Sequence, residues 1–316
     1  MELDLDLDLN FVSNLVDIFI DNLPNKIKHT ETPIEIDLVL DGGVFNGSFT
    51  IGALYFLKEM EKQNIIKIKR ISGCSIGSVL GLLYLIDKLD LTCSLYKKMI
   101  LYFKKKYNLK IYKNLKKLLK GEIPENVCDI VNDRLYVTYN NVITGEKKVK
   151  SNFSNQKQLF ETIVRSSFCP FIIDNNITYL NKYVDGINPY IFEPLENRKI
   201  LFVDLSGMDK LSYIFSIKNE KTNLYRLASG IIDTHIFFTK NSETFMCSYV
   251  NDWSYTYKLH YRLRLFFEKM MCRFFFILLF LKKCINNTIN ADNIFYKLFT
   301  TIFKDIYILL ISNYCV

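Results

Sequence analysis

The residues of this chain best placed to do chemistry are one serine and two sets of glycines. Gly73-Cys74-Ser75-Ile76-Gly77 spells Gly-x-Ser-x-Gly, between an apolar run through Ile71 and an apolar helical pattern that continues to Ile86. A serine on a tight strand-to-helix turn presents its hydroxyl as a nucleophile, and the flanking glycines remove side chains that would collide there. The helix that follows directs its first N–H groups, and the positive end of its dipole, at negative charge developing during acyl transfer. About thirty residues earlier lies a second glycine-rich turn, Asp41-Gly42-Gly43-Val44-Phe45-Asn46-Gly47. Backbone N–H groups gathered at a helix N-terminus make an anion site. Its glycines do not have dinucleotide-binding spacing, and no Gly-Lys-Ser/Thr closes it as a phosphate loop. One turn can therefore supply an oxyanion cradle and the other a nucleophile.

Strands and helices must hold these turns. Ile34–Leu40 alternates and then becomes continuously apolar, as a strand entering a buried sheet does. Helical patterns leave both turns, over Ile51–Leu57 and Gly81–Ile86. Residues 134–139 and 147–150 read as a strand and its return. Gln158–Ser166 reads as a helix, Tyr183–Asp185 as the return of a short hairpin, Lys199–Leu205 as a buried strand and residues 223–238 as a helix. Ile100, Phe103, Tyr107, Ile111, Leu115 and Leu118 form one helical stripe through the lysine-rich stretch 97–120. Residues 1–33, which open on a Leu-Asp repeat, read as a leader with a helix near Phe11–Asn22.

Composition narrows the functional class. A chain of 316 residues, nearly half of them hydrophobic, can bury a full core and suits one large α/β domain with an appendage. The eight cysteines have no CxxC and no pairing rhythm, as expected of reduced thiols. The acidic start is unlike the basic n-region of a signal peptide, so an intracellular protein is expected. The net charge of +8 is concentrated in two places. Residues 97–120 carry ten lysines and no acid, and residues 258–305 carry nine Lys/Arg against Glu268, Asp292 and Asp305. Aromatic and aliphatic residues interleave with these cations at helical spacing, which favours an anionic membrane surface over nucleic acid, solvated helix faces being the plain alternative. No metal or cofactor is assigned, since no acidic calcium loop is present.

With Asp185-Gly186 added, the pieces match a known pattern. The glycine-rich loop after the first strand, Gly-x-Ser-x-Gly after the next, and the later Asp-Gly resemble the patatin-like phospholipases, acyl hydrolases that use a Ser–Asp dyad. The stretch Val137–Gly145 and the run Ser166-Ser167-Phe168-Cys169-Pro170 also resemble that family's middle region. The likeness covers roughly residues 34–240 and is nearest to divergent members from large DNA viruses. It implies a three-layer α/β/α fold with a mostly parallel sheet over residues 34–254. It further implies Ser75 as nucleophile, Asp185 as general base, and oxyanion N–H donors at Gly42, Gly43 and Val44, with Asn46 and Gly47 of the same loop as further oxyanion or substrate-binding residues lining the cleft. The elbow glycines are then Gly73 and Gly77, and Gly186 adjoins the base. The absence of a motif histidine agrees with a dyad, because His29, His235 and His260 all lie outside these turns. The substrate implied is a phospholipid or other acyl lipid. A catalytically weakened lipid-binding protein is the alternative, and a protease or thioesterase with the same dyad is a further one.

Three positions depart from the family pattern. Val44 stands in place of a third glycine, Asn46 in place of Arg/Lys, and Ile187 where Gly or Ala is favoured. A valine is expected to hold φ below zero, so the loop should bend differently at residue 44 or already use that region there.

Residues 255–316 turn rich in Phe, Leu, Ile and Lys/Arg without a clean membrane span. They read as amphipathic helices lying in a membrane interface with cations toward headgroups, or else as a lid or dimer face over the catalytic domain. On the first reading, deletion of 255–316 should abolish vesicle binding and spare hydrolysis of a soluble ester.

Overall fold

Alternation within the strands sets the two faces of the sheet. Leu38 and Leu40 on one side of Ile34–Leu40 join the main core, while Val39 points to the other side and packs with Phe192, Ile200, Phe202 and Trp253. A computed structural model describes residues 3–28, 31–119, 121–207, 210, 213–218, 223–288 and 294–315. Its strands are β1 (Ile34–Leu40), β2 (Ile66–Cys74), β3 (Leu135–Asn141), β4 (Glu146–Lys150), β5 (Tyr183–Asp185), β6 (Lys199–Val203) and β7 (Cys247–Tyr249). They form one sheet in the order β4-β3-β2-β1-β6-β7, with β5 paired to β3. The central four run parallel, and β4, β5 and β7 are antiparallel.

The main helices are α1 (Leu3–Asp21), α2 (Gly47–Lys62), α3 (Ile76–Leu85), α4 (Leu91–Lys106), α5 (Gln156–Ser166), α6 (Leu224–Lys240), α7 (Tyr255–Thr288) and α8 (Ile294–Tyr314). Helices α1, α2, α3 and α6 bury their apolar residues in the main core. On the opposite face, Tyr257 and Tyr261 from the start of α7 pack on the cluster around Val39 and Phe202. The result is a three-layer α/β/α domain with a mostly parallel sheet, and the first turns of α7 contribute to one outer layer.

Two segments differ from the sequence reading. The residues read as a leader carry Val12, Val16, Ile20 and Leu23 into the main core, so the amino-terminal helix packs as part of the domain. The lysine-rich stretch is not one helix. It stops at Lys106, Tyr107 turns into the left-handed region at φ 55°, and short turns follow at Lys110–Asn114 and Leu115–Leu118. Its apolar residues still meet the core because the turns re-aim them, which a straight helical stripe did not anticipate. No helix among the described residues is long and apolar enough to cross a membrane.

Candidate active site

Register brings the two turns together. Leu40 pairs with Gly73 and with Val203, and Cys74 pairs with Thr138. The residues that follow β1, β2 and β6, namely Asp41, Ser75 and Asp204, therefore share one carboxyl edge, where open α/β sheets bind ligands. Antiparallel pairing of Tyr139 with Asp185 delivers the acid to the same edge.

Ser75 caps α3 at φ 52°, ψ −130°, the sharp strand-to-helix turn that its flanking glycines predict. A Cβ on Gly77 would lie 2.6 Å from the Leu40 carbonyl oxygen, so only glycine lets the elbow sit this close to β1. The Ser75 N–H donates to the Ser166 carbonyl at 3.2 Å and to its hydroxyl at 3.0 Å. Ser75 is buried to 6 % exposure, and it lines the same cleft as Asp185. Burial pushes the Asp185 carboxyl up to about 6, against the Ser75 hydroxyl and the Ile187 N–H, which pull it down. The Ile187 N–H lies 2.9 Å from Asp185 Oδ1. Gly186 admits the close approach of the Thr138 carbonyl, which a Cβ would block.

The glycine-rich loop lies against Ser75: a Cβ on Gly42 would be 3.0 Å from that of the serine. The Gly42 N–H is taken by Asp41 Oδ1 at 2.9 Å. Among the described residues no acceptor takes the N–H groups of Gly43, Val44 or Ile76. Those three N–H groups are left open beside Ser75, and Ile76, the residue after it, was not singled out in the sequence. Val44 sits at φ 46°. The loop thus keeps the conformation a glycine would take and forces a β-branched residue into it, contrary to the expectation of a different bend.

Asn46 and Gly47 do not line the cleft. The Asn46 amide is wholly buried, donates to the Lys210 carbonyl at 2.9 Å and accepts from Arg226 Nη1 at 2.9 Å. A buried arginine from α6 therefore stands behind the loop where the family pattern carries a cation within it. Gly47 begins α2 and packs on Ile76.

The cleft, about 220 Å³, is bounded by Gly42, Gly43, Val44, Ser75, Asp185 and Ile187, by Cys169, Pro170 and Val184, and by Met271 and Phe275 of α7. Its wall is mostly apolar. Cys169 is no competing nucleophile, since burial pushes its thiol up to about 12. Two histidines lie elsewhere: His235 packs against Phe19 and Phe56, and His260 is exposed on α7. His29 lies outside the described residues.

Sequence reasoning missed what α7 brings. Arg264 Nη2 donates to both Asp41 oxygens at 2.9 Å, Nη1 to Asp204 Oδ1 at 3.1 Å, and Nε to Asn188 Oδ1 at 2.9 Å. Burial pushes Asp41 up to about 7, with Arg264 pulling it down and Asp204 pushing it up. Asp204, despite similar burial, is held low by Arg264 and by the Ser206 hydroxyl and N–H. One turn further on, the buried Glu268 accepts from the Asn140 amide at 2.8 Å, the Asn188 amide at 2.9 Å and Lys147 Nζ at 3.0 Å. Read from sequence, Arg264 was one of the cations facing lipid headgroups. It is turned inward instead, onto Asp41, Asp204 and Asn188.

A serine on an elbow, sharing an apolar cleft with a buried carboxyl group and with unpartnered backbone N–H groups, has the parts for acyl transfer to and from an ester. No curated protein matches the chain. The patatin-like phospholipase family model matches residues 38–195, half of the chain and the part that carries both turns and Asp185. The α/β sheet and its flanking helices agree with that fold, and the chain belongs to the patatin-like phospholipase family, a family of lipid acyl hydrolases.

Proposed function

We propose that the chain is a serine acyl hydrolase of phospholipase A or lipase type, cleaving carboxylic esters of membrane lipids through an acyl-enzyme. The observation that carries this reading is that Ser75, on its elbow, and the buried Asp185 line one apolar cleft, near enough for the serine hydroxyl to hold the carboxyl down against burial. Ser75 Oγ attacks the ester carbonyl carbon as its proton passes to Asp185. The oxyanion that forms is received by N–H groups of Gly43, Val44 and Ile76. Collapse breaks the C–O bond, and the leaving alcohol takes the proton from Asp185. Water then attacks the acyl-enzyme and gives Asp185 a proton, which returns to Ser75 Oγ as the fatty acid leaves. A carboxylate whose proton affinity is raised by burial suits this exchange better than an ordinary surface acid.

The lipid surface is met through α7. Leu263, Phe267, Met270, Phe274, Ile277 and Leu281 recur at intervals of three and four along its solvent face, each between 48 and 61 % exposed. Arg262, Lys269 and Arg273 run along one flank of that stripe. An apolar stripe with a basic border is how a helix lies in a bilayer interface. On this reading the protein is intracellular and peripheral to a membrane.

The second reading, a lipid-binding protein with weakened catalysis, draws on Val44, whose branched side chain is held at φ 46° against the nucleophile. Labelling by a fluorophosphonate probe, with and without anionic vesicles, separates the two. Labelling of wild type that Ser75→Ala and Asp185→Asn both abolish is the expected result. No labelling under either condition favours the second reading.

A further inference from the structure

The C-terminal helix reaches the site at two places. Arg264 is 13 % exposed, and its Nη2 bridges both oxygens of Asp41 from a position 223 residues away in the chain. The Asp41 carboxylate in turn accepts the Gly42 N–H at 2.9 Å and the Leu205 N–H at 3.2 Å. Both its oxygens are thus engaged, and the start of the glycine-rich loop is tied to the strand end of β6. Glu268 lies one helical turn on and holds two buried amides. Asn140 donates both to Glu268 and to the Asp185 carbonyl, the latter at 3.0 Å, and Asn188 follows Asp185 by three residues. Neither Arg264 nor Glu268 borders the cleft.

We infer that Arg264 and Glu268 are positioning residues for the reaction proposed above, Arg264 fixing the oxyanion loop through Asp41 and Glu268 fixing the Asp185 segment through Asn140 and Asn188. The helix is thereby part of the catalytic domain, one brace on each half of the dyad's surroundings. The inference rests on the acyl-hydrolase reading for its catalytic consequence and on the hydrogen bonds alone for its structural one.

The division of labour between the two residues makes it testable. A planar fork that reaches Asp41, Asp204 and Asn188 through three different nitrogens is a geometry that lysine cannot reproduce, although lysine keeps the charge. Arg264→Lys and Arg264→Met are compared with Glu268→Gln on the full-length chain. Hydrogen exchange is followed over residues 41–47, 185–188 and 204–207, alongside turnover of a short-chain nitrophenyl ester. Arg264→Met should speed exchange about tenfold at 41–47 and 204–207 and by much less at 185–188, where Asn188 loses the arginine but keeps Glu268. Glu268→Gln should do the reverse. Turnover should fall in kcat by about 100-fold for Arg264→Met, with KM little changed, because a misplaced oxyanion loop costs the transition state more than substrate binding. Arg264→Lys should recover part of both losses. Exchange that rises evenly over all three segments, or stays at the wild-type rate in folded Arg264→Lys and Arg264→Met, overturns the inference. An inactive wild type would count against the acyl-hydrolase reading, and the exchange pattern would still decide whether the helix positions the loop.

Discussion

Ser166 holds the Ser75 N–H twice, through its carbonyl at 3.2 Å and its hydroxyl at 3.0 Å. The same carbonyl receives the Gly186 N–H at 3.2 Å, so the last turn of α5 sets the spacing between nucleophile and acid. The Ser166 hydroxyl also donates to the Thr138 carbonyl at 2.6 Å. In Ser166→Ala the carbonyl links survive, while the buried Thr138 carbonyl loses its hydroxyl donor. The expected cost is about 1–3 kcal/mol in urea unfolding. Fluorophosphonate labelling of Ser75 should slow by about tenfold, since the elbow loses one of its two anchors. Unchanged labelling would mean that the backbone links alone fix the elbow.

In the proposed mechanism the Asp185 carboxyl, raised to about 6, would set the acid limb of activity. As general base it must be ionised, so labelling should rise with pH and level off above about 6. Stability should run the other way. The folded protein keeps this proton to about pH 6, whereas the unfolded chain releases it near 3.8, so the folded state binds more protons between those values. Its contribution to stability therefore falls as pH rises through that window. Asp185→Asn should remove the acid limb along with the labelling and be more stable than wild type at pH 7, by up to about 3 kcal/mol, from 2.2 pH units at 1.36 kcal/mol each. Differential melting of the pair at pH 5 and pH 7 checks the sign: the gap should widen at pH 7.

Val44 and Ile187 hold φ at 46° and 52° and both border the cleft. A β-branched residue in that region is strained by about 1–3 kcal/mol, and glycine relieves this at a smaller entropic cost in the unfolded chain. Val44→Gly and Ile187→Gly should each stabilise the protein by about 1 kcal/mol in denaturant titration. Each also widens the cleft beside Ser75, so bulky fluorophosphonates should react faster relative to small ones. Loss of stability in both variants would show that packing of these side chains outweighs the strain.

What could be read from the sequence follows from how local each cause is. The elbow and the glycine-rich turn were legible because each is one continuous strand-turn-helix pattern, and β1 and β2 need only pair in parallel to bring them together. Asp185 was harder: β5 has three residues and no period of its own, so only its place after the hairpin distinguished it. The tolerance of the loop for Val44 at positive φ was misread because the rule against it describes preference, and surrounding contacts override preference. Asn46 was assigned to the cleft because its partner, Arg226, lies 180 residues away. Arg264 and Glu268 gave no signal at all. On a helix of mixed Lys, Arg and aromatic residues they look like surface charges until the tertiary fold supplies Asp41 and Asn140.

That same placement changes how membrane binding must be tested. Because α7 supplies Arg264 and Glu268, removing residues 255–316 disturbs the site together with any lipid-facing surface, and the two effects cannot then be separated. Substitutions on the solvent face alone separate them. Phe267, Phe274 and Ile277 are 61, 50 and 53 % exposed and border neither the cleft nor the Arg264 fork. Replacing all three with Asp puts charge where an interface helix needs apolar contact, while the opposite face keeps its bonds to Asp41 and Asn140. Each residue lost from the interface removes about 1.5–3 kcal/mol of burial when fully inserted, so the triple variant should leave anionic vesicles almost entirely. Hydrolysis of a soluble short-chain ester should stay within about twofold of wild type, because distant surface changes contribute little to the site. Retained co-sedimentation of the triple variant would move the membrane contact from this stripe to the lysines of residues 97–117.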